Sequence, residues 1–230
     1  MTEDDGSFEW GTGEQLSQLG GLMPTRRGFL EGTAKLGGGA LALGAAGSGT
    51  VAAKDGQPSD VDILNFALTL EHLEYAFYRD GLEQFSESDI ANSNSVSRLT
   101  DSVQWSMTDY LGVIRDHEKA HVDALTEVVQ DLGGEPVGEA EYDFGYDNAE
   151  QFVAVAQALE NTGVSAYAGA APAIGNEDIL AAALSIHSVE ARHASILNFA
   201  NGEVPFPDSF DEARSMEEVK EIASQFIVES

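Results

Sequence analysis

Four long segments of this chain repeat apolar residues at the spacing of an amphipathic helix, while strand patterns are nearly absent. Each segment holds about 20 residues or more, which at about 1.5 Å per residue gives a rod about 30 Å long. The segments cover residues 59–81, 97–132, 147–171 and 176–200. Four rods of matched length bury their apolar stripes most simply against one another, so the sequence predicts an all-α fold, a four-helix bundle.

The connections between these helices predict how the chain is threaded. The long turn-rich stretch GEPVGEAEYDFGYDNAE separates the second and third helices and can cross the bundle from end to end, which would place those two helices parallel. The end of the chain is extended around its prolines and then forms one short amphipathic helix. We therefore predict three parts: a leader of residues 1–53, a bundle of residues 54–202, and a C-terminal strap with a short helix over residues 203–230.

The leader has the pattern of an export signal. Arg26 and Arg27 stand in TRRGFLEG and are followed by a weakly apolar, glycine-rich run that ends in small residues before Lys54. This pattern is typical of a twin-arginine signal, here behind an acidic stretch. We expect export by the twin-arginine route to the cell surface or the extracellular space; the alternative is a Gly/Ala-rich linker.

The charge of the chain excludes some partners. With 40 acidic and 11 basic residues, the formal net charge is −29 at pH 7, so phosphate groups are repelled and we expect neither nucleic acid nor anionic membrane as a partner. Such a surface indicates adaptation to high salt, where charge repulsion is screened, or alternatively an acidic interaction module. The absence of cysteine excludes disulfides, thiolate zinc sites and iron–sulfur clusters.

A glutamate followed three residues later by a histidine occurs on two of the predicted helices. Glu118 and His121 lie on the second helix, and Glu190 and His193 lie on the fourth. Positions i and i+3 share one face of a helix, so each pair can reach one metal ion or two adjacent ions. A single match means little in a chain so rich in glutamate, but two matches on two helices indicate a metal site.

The other two long helices each offer an inward carboxylate. Glu71 and Glu160 both lie on the apolar stripe of their helix, so we expect them to face the core. Burying four carboxylates without compensation costs several kcal/mol per ion, whereas two divalent cations balance the charge. Oxygen and imidazole donors suit iron or manganese. Buried salt bridges or a solvated acidic face are the alternatives.

Several neighbouring residues have more than one interpretation. Glu74 lies one turn beyond Glu71 and is an alternative ligand on the first helix, although Glu71 is preferred. His117 and His187 are close enough in sequence to approach the site, and we interpret them as neighbours of the ligands rather than ligands. His72 points away from Glu71, toward solvent or a neighbouring helix.

The aromatic residues on these helices are assigned mainly to the core. Tyr78 and Tyr167 each lie seven positions after an inward glutamate, which is compatible with hydrogen bonds to the site, with a redox relay, or with plain packing. The other aromatic residues assigned to the core are Phe66, Phe77 and Trp105.

Taken together, five stretches resemble an exported ferritin-like domain family whose members include desiccation-related proteins. The stretches are NFALTLEHLEYAFY, HEKAHVDAL, ALENTGVSAY, VEARHASIL and SMEEVKEIASQFI, and the resemblance covers about residues 59–228. It implies a ferritin-like bundle with a long crossover and a bridged di-iron or di-manganese centre. The family pattern falls on Glu71, Glu118, His121, Glu160, Glu190 and His193.

The resemblance also implies a function. We expect two metal ions, iron in preference to manganese, that react with dioxygen or peroxide, so that the protein would be a di-iron oxidoreductase of the ferroxidase or peroxidase type. Glu118 and Glu190 would bridge or chelate, the two histidines would each cap one metal, and Glu71 and Glu160 would be terminal ligands. A manganese catalase-like enzyme and a non-catalytic surface protein of desiccation or stress are the alternatives. A homo-oligomer is compatible with this interpretation.

Overall fold

The structure is a computed structural model that describes residues 58–228, and this part of the chain forms six α-helices. The helices are α1 (Asp60–Gln84), α2 (Glu87–Ala91), α3 (Asp101–Asp131), α4 (Ala149–Ala170), α5 (Glu177–Ala200) and α6 (Met216–Ala223). Residues 58–228 contain no strand, only an isolated bridge between Tyr142 and Ile227. The predicted all-α bundle is confirmed, with α1, α3, α4 and α5 as its long helices. The predicted export signal lies outside the described residues.

Polar residues at the helix starts fix where the long helices begin. Ser59 and Asp62 form a capping box at the start of α1, in which the backbone N–H of Asp62 donates a 3.2 Å hydrogen bond to Oγ of Ser59. Helix α4 is capped by Asn148, whose Oδ1 accepts a 3.0 Å hydrogen bond from the backbone N–H of Gln151. The short helix α2 was not anticipated from the sequence.

Contacts between helix ends show that α3 and α4 run parallel. A Cβ at Gly134, just past α3, would lie 2.6 Å from Val61 at the start of α1, so α1 and α3 are antiparallel. A Cβ at Gly81, late in α1, would overlap Phe152 at the start of α4, so α1 and α4 are antiparallel as well. The crossover prediction is therefore correct.

The crossover itself lies along the side of α1. Asn65, early in α1, accepts a 2.9 Å hydrogen bond from the backbone of Val137, and Arg79, late in α1, pairs with Glu139 at 2.9 Å. The C-terminal residues then hold the crossover in place, because the N–H of Asp143 donates to the carbonyl of Phe226 at 2.8 Å. The connection thus returns the chain to the end of the bundle at which α3 began.

The core consists of two apolar clusters with a polar layer between them. One cluster contains Phe77, Leu111 and Phe152 near one end, and the other contains Leu68 and Leu125 toward the opposite end. Phe66 and Phe77 are buried as predicted. The assignment of Trp105 to the core is wrong, since 47% of its surface is exposed.

The C-terminal strap lies against the outside of α4. The N–H of Arg214 donates to the carbonyl of Ser165 at 3.1 Å, and a Cβ at Gly169 would overlap the Arg214 carbonyl, so this close approach requires glycine. Helix α6 then packs on α4 and α1 through Val219, which is fully buried. Within residues 58–228, none of the helices combines the length and the hydropathy needed to cross a membrane.

Candidate metal centre

The polar layer of the bundle contains all six residues that the sequence singled out as ligands. Each of the four long helices supplies at least one of them, and all six side chains are buried. The glutamates are completely inaccessible, at 0% exposure, whereas His121 and His193 are 9% and 5% exposed. The six residues are Glu71, Glu118, His121, Glu160, Glu190 and His193.

Four of these side chains converge around His121, and we call them the first ligand group: Glu71, Glu118, His121 and Glu190. Nδ1 of His121 lies 3.1 Å from Oε2 of Glu71 and 3.1 Å from Oε2 of Glu118. Oε1 of Glu190 lies 3.2 Å from the same nitrogen. One atom from each of four side chains therefore points at a common position.

A second set converges around His193, and we call it the second ligand group: Glu118, Glu160, Glu190 and His193. Nδ1 of His193 lies 3.0 Å from Oε1 of Glu118 and 3.3 Å from Oε2 of Glu160. Oε2 of Glu190 lies 4.0 Å from it. The two groups are thus alike, with one imidazole facing three carboxylates in each.

The two groups share two carboxylates. Glu118 directs Oε2 toward His121 and Oε1 toward His193, and Glu190 directs Oε1 toward His121 and Oε2 toward His193. Glu71 belongs only to the first group and Glu160 only to the second. Glu118 and Glu190 thus contribute to both groups, whereas Glu71 and Glu160 each contribute to one.

Two tyrosines hold the unshared acids. Tyr78 of α1 donates a 2.6 Å hydrogen bond to Oε1 of Glu160 on α4, and Tyr167 of α4 donates a hydrogen bond to Oε1 of Glu71 on α1. Each tyrosine therefore crosses to the acid of the other helix and leaves the second oxygen of that acid facing a histidine. The sequence left hydrogen bonding, a redox relay and plain packing open for these two tyrosines. In the structure both tyrosines are buried and both donate a hydrogen bond to an acid of the site.

Several buried atoms of the centre have no hydrogen-bond partner within residues 58–228. They are Oε1 of Glu118, Oε2 of Glu160, both oxygens of Glu190 and Nδ1 of His193. Most of them lie within about 3–4 Å of one another, yet not in the directions that a hydrogen bond requires. Buried polar atoms left unpaired are costly, so this layer is incomplete as a purely hydrogen-bonded structure.

The electrostatics of the layer favour added positive charge. Burial, together with the charge of Glu160, raises the pKa of Glu118 to about 7, and burial and the neighbouring carboxylates raise the pKa of Glu190 well above its usual range. Burial opposes the charged form of His193, but the facing carboxylates outweigh it and raise its pKa to about 10. The protein without metal therefore holds protons where a cation could replace them.

Glu74 is a fifth buried carboxylate, but it belongs to neither ligand group. Its side chain lies next to Gly163, where an added Cβ would come within 3.2 Å of Oε1 of Glu74 and 3.3 Å of Oε2 of Glu190. Burial and the surrounding acids raise the pKa of Glu74 well above its usual range, so its neutral form is favoured. The geometry thus favours Glu71 over Glu74 as the ligand from α1.

The remaining histidines have separate positions. His117 touches His193, with Nδ1 2.9 Å from Nε2 of that ring, and burial lowers the pKa of His117 to about 4. His187 lies 3.8 Å from Asp211 of the strap, and Nε2 of His72 lies 3.2 Å from the carbonyl of Val137 in the crossover. Of these three histidines, only His117 contacts a member of the ligand groups. The sequence interpretation had placed it beside the ligands rather than among them.

The donor set fits divalent metal ions. Ligand atoms bound at about 2.1 Å and about 90° to one another lie about 3.0 Å apart, and the closest approaches to the two histidines are 3.0–3.3 Å. Carboxylate and imidazole donors suit first-row ions such as iron and manganese. The two groups, each with its atoms within 4.8 Å of one another, form a cluster that could hold metal.

Comparison with known proteins agrees with this arrangement. A family model described as a ferritin-like domain matches residues 59–203, which contain all four long helices and both ligand groups. A search of curated proteins found no match.

Proposed function

Because this chain belongs to the ferritin-like domain family, we propose that its two ligand groups hold a dinuclear centre that reacts with dioxygen or peroxide. Iron is the preferred occupant and manganese the alternative, since both accept oxygen and imidazole ligands. The activity we propose is oxidation of Fe(II), or of another one-electron donor, coupled to reduction of dioxygen or peroxide.

The observation that carries this proposal is the set of unpaired buried atoms. Unpaired atoms of Glu118, Glu160, Glu190 and His193 all face one layer, and without a cation they would remain unsatisfied. The four glutamates of the ligand groups carry four negative charges when ionised, and two divalent ions would balance that charge. A solvated acidic face is excluded for these residues because they are buried.

The side chains have distinct tasks in this proposal. Bound iron or manganese would supply the one-electron steps that dioxygen and peroxide require. Glu118 and Glu190 offer one oxygen to each ligand group and so tie the two groups together. Tyr78 and Tyr167 fix the orientation of the terminal acids, which leaves one oxygen of each acid for its ligand group.

The chain around the centre controls protons and water. Carboxylates face Nδ1 of His121 and Nδ1 of His193, so a proton on either nitrogen must be released when that nitrogen becomes a ligand. The two apolar clusters above and below the layer limit the access of bulk water, which strengthens the electrostatic interactions inside.

The test is metal-dependent reactivity of the purified full-length chain. We expect the wild type to bind Fe(II) without oxygen and then to oxidise it faster than free Fe(II) when dioxygen or peroxide is added. The double variant His121→Ala/His193→Ala should oxidise Fe(II) at the rate of the buffer alone. His187→Ala is the matched control, because His187 lies on α5 toward Asp211 of the strap, and it should behave like the wild type.

The same experiment separates the alternatives. Evolution of dioxygen from peroxide by the manganese-loaded chain, with no oxidation of Fe(II), would identify a catalase-like activity instead. Binding of metal without any reaction would identify a structural centre and favour the non-catalytic stress-related role. Equal reactivity of the wild type and the double histidine variant would contradict the proposal.

We also propose that the protein is exported and adapted to high salt. Arg26 and Arg27 with the following glycine-rich run support export by the twin-arginine route, which carries folded proteins and would permit metal loading before export. The net charge of −29 supports salt adaptation. Replacing both arginines by lysine should keep the protein in the cytoplasm, and continued export of that variant would contradict the export proposal. Dialysis into low salt should lower the helical circular dichroism signal, and an unchanged signal would contradict the salt adaptation.

A further inference from the structure

His117 lies outside both ligand groups but contacts the second one. Its Nδ1 lies 2.9 Å from Nε2 of His193, and the two rings are stacked with centroids 5.2 Å apart and planes 17° apart. The other nitrogen of His193, Nδ1, faces Glu118 at 3.0 Å and Glu160 at 3.3 Å. His193 therefore faces carboxylates at Nδ1 and contacts His117 at Nε2.

We propose that His117 is the positioning residue of the second ligand group: it accepts a hydrogen bond from Nε2–H of His193 and so keeps Nδ1 of His193 available for a metal ion. This inference rests on the proposed function, because it concerns the same centre. It adds that the two metal positions are inequivalent: within residues 58–228, Nε2 of His193 has a histidine partner and Nε2 of His121 has none.

The chemistry of imidazole sets the direction of this hydrogen bond. A neutral imidazole carries one N–H, and a nitrogen that binds a metal must offer a lone pair instead of a proton. If Nε2 of His193 carries the hydrogen, Nδ1 has its lone pair directed at Glu118 and Glu160, where a cation would sit. For this, Nδ1 of His117 must be the acceptor, so that His117 carries its own hydrogen on Nε2.

The sequence around His117 suggests a different role that the geometry rejects. Residues 117–121 read HEKAH, the spacing at which a helix brings two histidines to one zinc ion. In the structure His117 and His121 diverge, because His117 turns its Nδ1 to His193 while His121 faces Glu71. His117 therefore serves a ligand on another helix rather than acting as a ligand beside His121.

The two ligand histidines differ at their outer nitrogen. Within residues 58–228, Nε2 of His193 meets His117, whereas the hydrogen bonds of His121 all involve Nδ1. A partner at the outer nitrogen fixes the orientation of a ligating ring, and its loss typically weakens metal affinity by about 10–100-fold. The effect of removing His117 should therefore fall on the second ligand group alone.

The test is an oxygen-free titration of the full-length chain with Co(II), followed by visible absorption and calorimetry. In wild type we expect two binding steps. His117→Ala should weaken one step by about 10–100-fold and leave the other within about threefold. His117→Asn, whose Oδ1 takes the place of Nδ1 and can still accept from His193, should retain most of the affinity. His187→Ala should leave both steps unchanged.

Each outcome of the titration decides a separate point. Two steps in wild type with no change in His117→Ala overturn the positioning role and leave the dinuclear centre intact. Equal weakening of both steps also overturns it, because the effect would then be general. Two ions that bind to the wild type in one step overturn the inequivalence of the two positions and leave the dinuclear centre intact. Fewer than two ions bound per wild-type chain overturn the proposed function and this inference with it.

A measurement on the unmodified chain guards against misfolding of the variants. In protein labelled with ¹⁵N at histidine and loaded with Zn(II), the hydrogen bond should give a nitrogen–nitrogen coupling between Nε2 of His193 and Nδ1 of His117. The hydrogen should reside on His193. A missing coupling, or a hydrogen on Nδ1 of His117, overturns the proposal.

Discussion

The hydroxyl of Tyr78 on α1 donates a 2.6 Å hydrogen bond to Oε1 of Glu160 on α4. Tyr78 lies seven residues after Glu71, and Glu71 accepts the hydrogen bond of Tyr167, which lies seven residues after Glu160. The two helices therefore exchange equivalent hydrogen bonds across the centre. These two hydrogen bonds restrict the rotation of α1 relative to α4 and orient Glu71 and Glu160.

Removal of the Tyr78 hydroxyl should weaken the second ligand group. In Tyr78→Phe, Oε1 of the buried Glu160 loses its partner, and we expect a loss of about 1–3 kcal/mol in the free energy of unfolding. One metal-binding step should weaken as well. Chemical denaturation and Co(II) titration measure the two effects.

Two further tyrosine variants give this prediction its controls. Tyr167→Phe should weaken the other binding step, because Tyr167 holds Glu71. Tyr146→Phe alters a tyrosine whose ring packs on Phe77 and should leave both steps unchanged. An effect of Tyr78→Phe no larger than that of Tyr146→Phe would show that the hydrogen bond does not position Glu160.

Neutralising a shared acid should stabilise the protein while destroying its metal site. Burial and the neighbouring carboxylates raise the pKa of Glu190 well above its usual range, so the charged form is unfavourable in the folded chain. In Glu190→Gln we expect the metal-free protein to become more stable at neutral pH, because the amide has no charged form to bury. Added metal should no longer raise the melting temperature.

Glu83→Gln is the matched control, because Glu83 is exposed on α1. Its stability should change by no more than about 0.5 kcal/mol, with the response to metal intact. If Glu190→Gln destabilises the metal-free protein, Glu190 must be satisfied by partners other than a cation, and the charge argument fails.

The metal-free and metal-bound proteins should respond to pH in opposite ways. In the folded chain the pKa of Glu118 is raised to about 7 and that of His193 to about 10, so the folded state binds more protons than the unfolded state at intermediate pH. The stability of the metal-free protein should therefore fall from about pH 5 to about pH 10, because the unfolded chain releases those protons at lower pH than the folded chain.

Bound metal replaces these protons, so its stabilising effect should grow over the same range. Melting temperatures measured with chelator and with Mn(II), at constant high salt, test both statements. A metal-free protein that becomes more stable as the pH rises would contradict the proton assignment of Glu118 and His193.

Gly163 should be required for the centre rather than for the helix. A Cβ there would lie 3.2 Å from Glu74 and 3.3 Å from Glu190, so Gly163→Ala should displace these carboxylates and weaken metal binding. Gly112 on α3 is the matched control, since a Cβ there meets nothing within 4 Å. Gly112→Ala should stabilise the fold by about 0.5–1 kcal/mol and leave metal binding intact. Equal metal affinity in both variants would contradict this role.

The sequence predicted the long helices and the six clustered side chains because both depend on local spacing. Glu118 with His121 and Glu190 with His193 share a helix face wherever the helix packs, and Glu71 and Glu160 lie on apolar stripes that must face a core. The ferritin-like family match supports the same bundle. These features therefore do not depend on the detailed packing of one helix against another.

The remaining features depend on how the rods are rotated and spaced. The pairing of Tyr78 with Glu160 and of His117 with His193 joins residues on different helices, so no spacing within one helix reveals it. Trp105 was assigned to the core by residue type, although its position on α3 faces outward. The sequence pattern therefore did not predict how each helix is rotated about its axis against its neighbours.

The number of metal ions bound per chain tests the central claim most directly. Full-length protein, metal-free and then equilibrated with Fe(II) without oxygen, can be analysed by native mass spectrometry alongside His121→Ala and His193→Ala. We predict two ions in the wild type and no more than one in each variant, because each histidine serves one ligand group. Fewer than two ions in the wild type, or two in either variant, would contradict a dinuclear centre built from these six side chains.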